Sequence, residues 1–291
     1  MIGLSVVVFT DNPGTLETRL VMDELRGRGV GVRFLAPWDV KLPGFPDIDV
    51  GVAYVPSNML HRGSTFELIH RLLILRELEN RGPVVNPVES MLHYSKETLT
   101  VRLQGSGVPL PKTLATENIE EAYEFASGLL ESGRDVVLKP ICKGRGIGVV
   151  KLSGIRSRGD LLQFLMWYNR AHAEGVFYLQ EFVRNFGYDV RCLVVGGEVV
   201  GREKRFNPDD FRYNVSVGGS AAPFDDPKYD RLAVTVAQKA GLNVAGIDVL
   251  PGEDGQPYIL EANCFPGYKA LIDATGIPVH KNIADYLQSL C

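Results

Sequence analysis

The sequence predicts a mixed α/β protein, of α+β character overall, that opens with a parallel sheet flanked by helices and closes with antiparallel hairpins. Two observations carry this expectation. Short apolar runs alternate with helical patterns over the first 87 residues, and compact glycine turns separate β-rich runs in the last third of the chain.

Taken in order, the runs 4–9, 32–35, 50–54 and 83–85 read as strands, and 15–26 and 65–80 read as helices. Strands that alternate with helices pair in parallel, because each crossover helix returns the chain to the same end of the sheet. Phe66, Ile69 and Leu73, at i, i+3 and i+7, give the second helix an expected buried stripe, and Gly82-Pro83 stops it. No GxGxxG follows the first strand, so a dinucleotide fingerprint is absent. The next region carries a helix over 96–103 that ends at Gly105 and Gly107, a helix over 119–130, a strand over 135–139 and a glycine-rich loop. A further helix sets Leu161, Phe164, Leu165 and Tyr168 on one face, with the Trp167-Tyr168 pair read as helix core. In the last region Gly196-Gly197 is a two-residue turn between 190–195 and 198–205, and the loop 251–255 joins 244–250 to 258–262. Expected domain boundaries are 1–87, 88–182 and 183–291.

Composition narrows the function classes. The 31 basic and 35 acidic residues leave a net charge of −4, which gives no global reason to bind nucleic acid or an anionic membrane. No stretch reaches the roughly 18 apolar residues of a membrane helix. The first apolar run meets Asp11-Asn12-Pro13-Gly14 too early for a signal-peptide core, so the expected location is cytoplasmic. Cys142, Cys192, Cys264 and Cys291 are scattered without metal-ligand spacing and read as reduced thiols. The five histidines share no metal or nucleophile pattern. The expected partners are small molecules, and self-association into a homo-oligomer is left open.

Three clusters carry chemistry. Lys139 ends a strand and leads into Lys143-Gly144-Arg145-Gly146-Ile147-Gly148, where glycines let backbone N–H groups approach a phosphate chain. No Gly-Lys-Ser/Thr closes this loop, so it is not a Walker A sequence, and a tight hairpin with solvated basic residues explains it equally well on its own. Strand alternation sets Glu261 and Asn263 on one face, with Asp248 opposite or diagonal across the hairpin. Such a set of oxygen donors suits a hard divalent cation, although turn caps or pairing with Arg202, Lys204 or Arg205 would also satisfy it. Asp189 and Arg191 share a strand face, and Arg202, Lys204, Arg205, Arg212 and Asn214 follow. Arginine forks suit carboxylates and phosphates, while cross-strand salt bridges on a solvated edge are the simpler alternative.

The order of these motifs is more specific than any one of them. Ser95-Lys96, Val137-Leu138-Lys139-Pro140, the 143–148 loop, Gln180-Glu181-Phe182-Val183, Asp189-Val190-Arg191, Asp210-Phe211-Arg212-Tyr213-Asn214, Gly246-Ile247-Asp248 and Leu260-Glu261-Ala262-Asn263 together resemble the RimK-type α-L-glutamate ligases of the ATP-grasp superfamily. The resemblance spans nearly the whole chain. It implies an ATP-grasp fold behind an N-terminal pre-ATP-grasp domain, and ATP-dependent joining of a carboxylate to the amine of glutamate. It further implies that Lys96, Lys139, Lys143, Gly144, Gly146 and Gly148 contact ATP phosphates. Gln180, Glu181, Phe182 and Val183 would form the adenine-side hinge, Asp189 the ribose-side contact, and Arg212 and Asn214 a nucleotide or substrate contact. Asp248, Glu261 and Asn263 would ligate two Mg²⁺ or Mn²⁺ ions, leaving Arg191 and Arg205 to hold the acyl phosphate or the amino acid's carboxylate.

Two departures point to the acceptor. Members that modify ribosomal protein usually carry His-Arg before the double glycine, where this chain has Val215-Ser216-Val217-Gly218-Gly219. Beyond Asn263 the run Cys264-Phe265-Pro266-Gly267-Tyr268-Lys269 is similar to archaeal members that glutamylate coenzymes such as tetrahydromethanopterin. Two alternatives stay open: an ATP-grasp ligase for another substrate pair, such as a lysine-biosynthesis type, and a non-catalytic nucleotide-binding protein. Intact Asp248, Glu261 and Asn263 argue against the last.

Overall fold

In the computed structural model, which describes residues 5–56, 60, 63–91, 95–141, 144, 146–155, 157–172 and 175–291, the chain forms three four- or five-stranded sheets. Strands β1 (Ser5–Phe9), β2 (Gly31–Leu35), β3 (Val52–Tyr54) and β4 (Val84–Val85) pair in parallel in the order β2-β1-β3-β4. Helices α1 (Leu16–Gly27) and α2 (Thr65–Glu79) supply the crossovers, followed by α3 (Val88–Met91) and α4 (Lys96–Leu103). Each crossover starts on a local cap. The Thr15 hydroxyl accepts the Thr18 N–H at α1, and Ser64 and Glu67 form a reciprocal capping box at α2.

The second sheet, β5 (Thr113–Thr116), β6 (Val136–Lys139), β7 (Val150–Leu152) and β8 (Phe177–Glu181), is antiparallel in the order β5-β8-β6-β7. Helices α5 (Ile119–Glu131) and α6 (Arg158–His172) cover it and share a core with it. The third sheet, β9 (Tyr188–Val195), β10 (Glu198–Phe206), β11 (Ser220–Pro223), β12 (Val244–Pro251) and β13 (Pro257–Asn263), runs β11-β10-β9-β12-β13. Helices α7 (Asp230–Ala240), α8 (Lys269–Thr275) and α9 (Val279–Ser289) complete it.

The first and third sheets are cored together. Val7, Phe9 and Val84 share one apolar cluster with Val190, Cys192 and Ile247, and Val6 and Val8 share another with Leu193, Ile283 and Leu287. One buried side chain ties the two sheets further. Asn86 accepts the Asn243 and Val244 N–H groups at 2.7 and 2.8 Å and donates to the Val244 and Cys264 carbonyls at 2.8 and 2.7 Å. All four hydrogen-bonding places of the carboxamide are filled.

Two sequence expectations fail. Phe66, Ile69 and Leu73 are 82%, 49% and 52% exposed, while Ile74, Leu75 and Leu78 of α2 are buried. The helix carries apolar residues over more than one face, so its sequence allows two stripes, and packing on the sheet selects the other one. Trp167 is 58% exposed, and only Tyr168 of that pair enters the core.

Both long hairpins of the third sheet carry a β-bulge. Val199 faces Val194, yet Gly201 faces Leu193, so Val200 is the extra residue of β10. Val249 faces Ile259, yet Asp248 faces Glu261, so Leu260 is the extra residue of β13. An inserted residue reverses the facing of every side chain beyond it, and that reversal shapes the site.

Candidate active site

The bulges bring Glu203 opposite Arg191, Arg191 opposite Asp248, and Asp248 opposite Glu261. Four charged residues from β10, β9, β12 and β13 thus form one row across the sheet. Arg205 faces Asp189 two residues along. A regular hairpin through Gly196-Gly197 would have put Lys204 opposite Asp189 and Arg202 opposite Arg191. Instead Arg202 pairs with Asp230 of α7, and the Lys204 ammonium lies 4.2 Å from the centre of the Tyr188 ring.

The row is tightly bonded. Arg191 donates from Nε and Nη2 to both Asp248 carboxylate oxygens at 2.7 and 2.8 Å, and Arg205 donates likewise to Asp189 at 2.8 and 2.6 Å. A further contact of 2.9 Å joins Arg205 Nη2 to Asp248. Burial alone raises the Asp248 carboxyl, but Arg191 and Arg205 outweigh it and hold it below the ordinary carboxylate range. Burial raises Asp189, which Arg205 pulls back only in part. Burial also raises Glu203, against the pull of Arg191 and Arg205. Arg205 itself stays charged, since Asp189 and Asp248 override the burial that disfavours its cation.

Between the second and third sheets lies an open cleft that joins polar and apolar walls. Lys96, Lys139, Gly144, Gly146, Gln180, Glu181, Phe182, Val183, Asp189, Arg212, Asn214, Asp248 and Glu261 all line it, as do the apolar Val137, Leu250 and Leu260. Lys139 is desolvated by burial and repelled by Lys96, which lowers its ammonium to about 8. Its Nζ donates to Gln180 Oε1 at 2.5 Å, and Gln180 in turn donates to Thr113 Oγ1 at 3.0 Å. Arg212 pairs with Asp210 and also donates to the Gly146 carbonyl at 3.0 Å, which ties the glycine-rich loop to the third sheet. Gly146 needs its left-handed φ of 72°, and a Cβ there would stand 3.0 Å from Asn214 Oδ1. Gly148 sits outside the cleft lining, its carbonyl accepting the Tyr168 hydroxyl at 3.0 Å. Lys143 lies outside the described residues.

A second cleft adjoins the first. Arg191, Glu203, Arg205, Asn263 and Lys269 line it, and Gly144, Asn214 and Glu261 line both. Sequence reasoning missed Glu203, because only the bulge at Val200 turns it to this face. Asn263 Oδ1 accepts the Phe265 N–H at 2.9 Å, which fixes the carboxamide oxygen. Among the described residues, no three of His, Cys, Asp or Glu gather as a metal cluster. The oxygen-donor set is Asp248 and Glu261, paired across strands, with Asn263 two residues on. Two carboxylates and a carboxamide fit a hard divalent ion chemically, with Asp248 already oriented by two arginines.

Residues 96–287 match the RimK-like ATP-grasp domain. The tetrahydromethanopterin:alpha-L-glutamate ligase of Methanocaldococcus jannaschii is 32% identical over 231 residues, 78% of this chain and 76% of that protein. A Halorhodospira halophila protein named "Probable alpha-L-glutamate ligase" is 28% identical over 303 residues, covering 98% of this chain and 95% of its own. In structure, the ATP-grasp ligase PsnB with a precursor variant, Mg and ADP superposes with a TM-score of 0.76 at 20% identity, over 100% of this chain and 99% of that one. The chain belongs to the RimK-like ATP-grasp family of ligases.

Proposed function

We propose that the protein activates a carboxylate of an acceptor with ATP and joins it to the amine of L-glutamate, the acceptor being a glutamyl-tailed coenzyme of the tetrahydromethanopterin kind. The observation that carries this reading is the pair of clefts meeting at Glu261, Asn214 and Gly144, one bearing two half-buried lysines and the other opening beyond the carboxylate row. A ligase needs this arrangement, because the phosphoryl donor and the amine must approach one carboxylate from different sides. The relative from Methanocaldococcus jannaschii supports the acceptor class by its name.

In the first cleft Val137, Phe182, Leu250 and Leu260 offer apolar walls for the base, beside the 180–183 segment. Lys96, Lys139 and the glycine-rich loop at Gly144 and Gly146 would reach the phosphates. Asp248, Glu261 and Asn263 would hold Mg²⁺, which neutralises phosphate charge when bound. The acceptor carboxylate attacks the γ-phosphorus in line and ADP departs. The resulting acyl phosphate is then attacked at its carbonyl carbon by the amine once its ammonium form has lost a proton to solvent; phosphate leaves with the bonding electrons and takes up the nitrogen's surplus proton. Phosphoryl transfer of this kind relies on positioning and charge, so no covalent enzyme nucleophile is needed. Arg191 and Arg205 act first as positioning residues, since their Nε and Nη2 groups are engaged by Asp248 and Asp189. Both also line the second cleft, where the acyl phosphate would form.

Incubating the protein with MgATP, labelled glutamate and either glutamyl-tailed coenzymes or ribosomal protein tests the reading by mass spectrometry. Label is expected on the coenzyme. Label on protein alone would overturn the acceptor class and spare the ligase.

A further inference from the structure

We infer that Glu203 is the anionic seat for the ammonium group of the incoming amine substrate. This rests on the ligase reading above. Glu203 is 2% exposed, lines the second cleft, and has an oxygen, Oε2, that is buried without a hydrogen-bond partner among the described residues. A buried unpaired carboxylate oxygen is costly, and such groups persist where a ligand completes them. Among the described residues, the cations that line the cleft are already engaged. Arg191 is held by Asp248, Arg205 by Asp189 and Asp248, and Lys269 by Asp273.

Position within the row fixes which ligand is meant. Glu203 is two strands away from Asp248, roughly 10 Å across the sheet, with the Arg191 strand between them. That separation is too long for both carboxylates to share one small divalent ion, whose oxygen ligands lie about 2 Å from it. A second cation placed there would also face the Arg191 guanidinium. An ammonium group instead offers a single compact charge with three donors, which one buried carboxylate can receive. Glu203 therefore sits beyond the acyl-phosphate position, on the side from which the amine must arrive. The bulge at Val200 is the device that puts it there.

The direct test is calorimetric titration of the protein, saturated with Mg²⁺ and a non-hydrolysable ATP analogue, with L-glutamate and with 2-hydroxyglutarate, which carries a hydroxyl in place of the ammonium. Wild type is expected to prefer glutamate by at least about tenfold, the scale of one charge-assisted hydrogen bond. Glu203→Gln should weaken glutamate about ten- to a hundredfold, erase the preference and leave the analogue bound as before. A wild-type protein with no preference, or a variant with unchanged glutamate affinity, overturns the assignment. Thermal melting separates a structural role, because Glu203→Gln keeps the shape and removes a buried charge, so it should melt no lower than wild type; a clear drop would mean that Glu203 serves the fold. Hydroxylamine as the nucleophile, with tetrahydromethanopterin as acceptor, needs no anionic seat, so the variant should keep hydroxamate formation while losing glutamate transfer. Equal loss of both overturns the inference. Absence of hydroxamate and amide in wild type, with Glu203-dependent preference intact, would sink the ligase reading and leave the seat standing.

Discussion

Replacing Arg205 with methionine removes the cation that links Asp189 to Asp248 of the charge row while keeping most of the side-chain volume. The change leaves Asp189, 7% exposed at its side chain, without its bidentate partner and strips one contact from Asp248. Breaking a buried pair from one side costs about 3–5 kcal/mol, because the orphaned charge keeps its desolvation penalty and loses its compensation. Burial already raises Asp189 with Arg205 present. Without Arg205 its folded-state value rises further above the unfolded one. A carboxyl raised on folding loses stability as pH climbs from its unfolded value to its folded value, so the deficit is fullest near neutrality and shrinks in mild acid. Urea unfolding of Arg205→Met at pH 7.5 and 5.5 measures this. The double variant Asp189→Leu with Arg205→Met should recover most of the loss, since removing both charges abolishes the penalty. A single variant within about 1 kcal/mol of wild type, or a double variant losing the sum of both single effects, would refute the reasoning.

Other expectations follow from the same geometry. Asn86→Ala leaves two N–H groups and two carbonyls unpaired between the first and third sheets and should cost at least about 3 kcal/mol, read by denaturant unfolding. Lys139 has a lowered value of about 8 in the free protein, and a bound polyphosphate raises it. Nucleotide affinity should therefore decline as pH rises above 8, with net proton uptake on binding at pH 8.5, both measurable by calorimetry in buffers of different ionisation enthalpy; Lys139→Met should abolish the uptake. Glu261→Gln should remove Mg²⁺-dependent turnover with little change in melting temperature, and near-wild-type turnover would exclude it as a metal ligand.

Elements with local signals were legible in the sequence. The N-terminal alternation, the Gly196-Gly197 turn and the 251–255 loop each encode a connection within a few residues, and the corresponding strands form as expected. Residues of the first cleft were legible by motif, and the fold collects them around one space. What local sequence does not carry is facing. The bulge at Val200 is marked only by the neighbouring Gly201 and the one at Leu260 by nothing beside it, yet the first decides that Glu203 and Arg205 turn towards the clefts while Arg202 and Lys204 turn away. The buried face of α2 was likewise decided by its neighbours, since Phe66, Ile69 and Leu73 form as plausible a stripe as Ile74, Leu75 and Leu78. Pairing was hidden for the same reason. Arginines that read as free forks for a ligand are held by aspartates from adjacent strands.

The measurement closest to the central claim is transfer of oxygen from acceptor to phosphate. Acceptor coenzyme labelled with ¹⁸O in its carboxylates is incubated with the protein, MgATP and glutamate, and the products are analysed by mass spectrometry. An acyl-phosphate ligase yields ADP and phosphate carrying one ¹⁸O per amide formed. Amide formation with AMP and pyrophosphate, or with phosphate free of label, would contradict it.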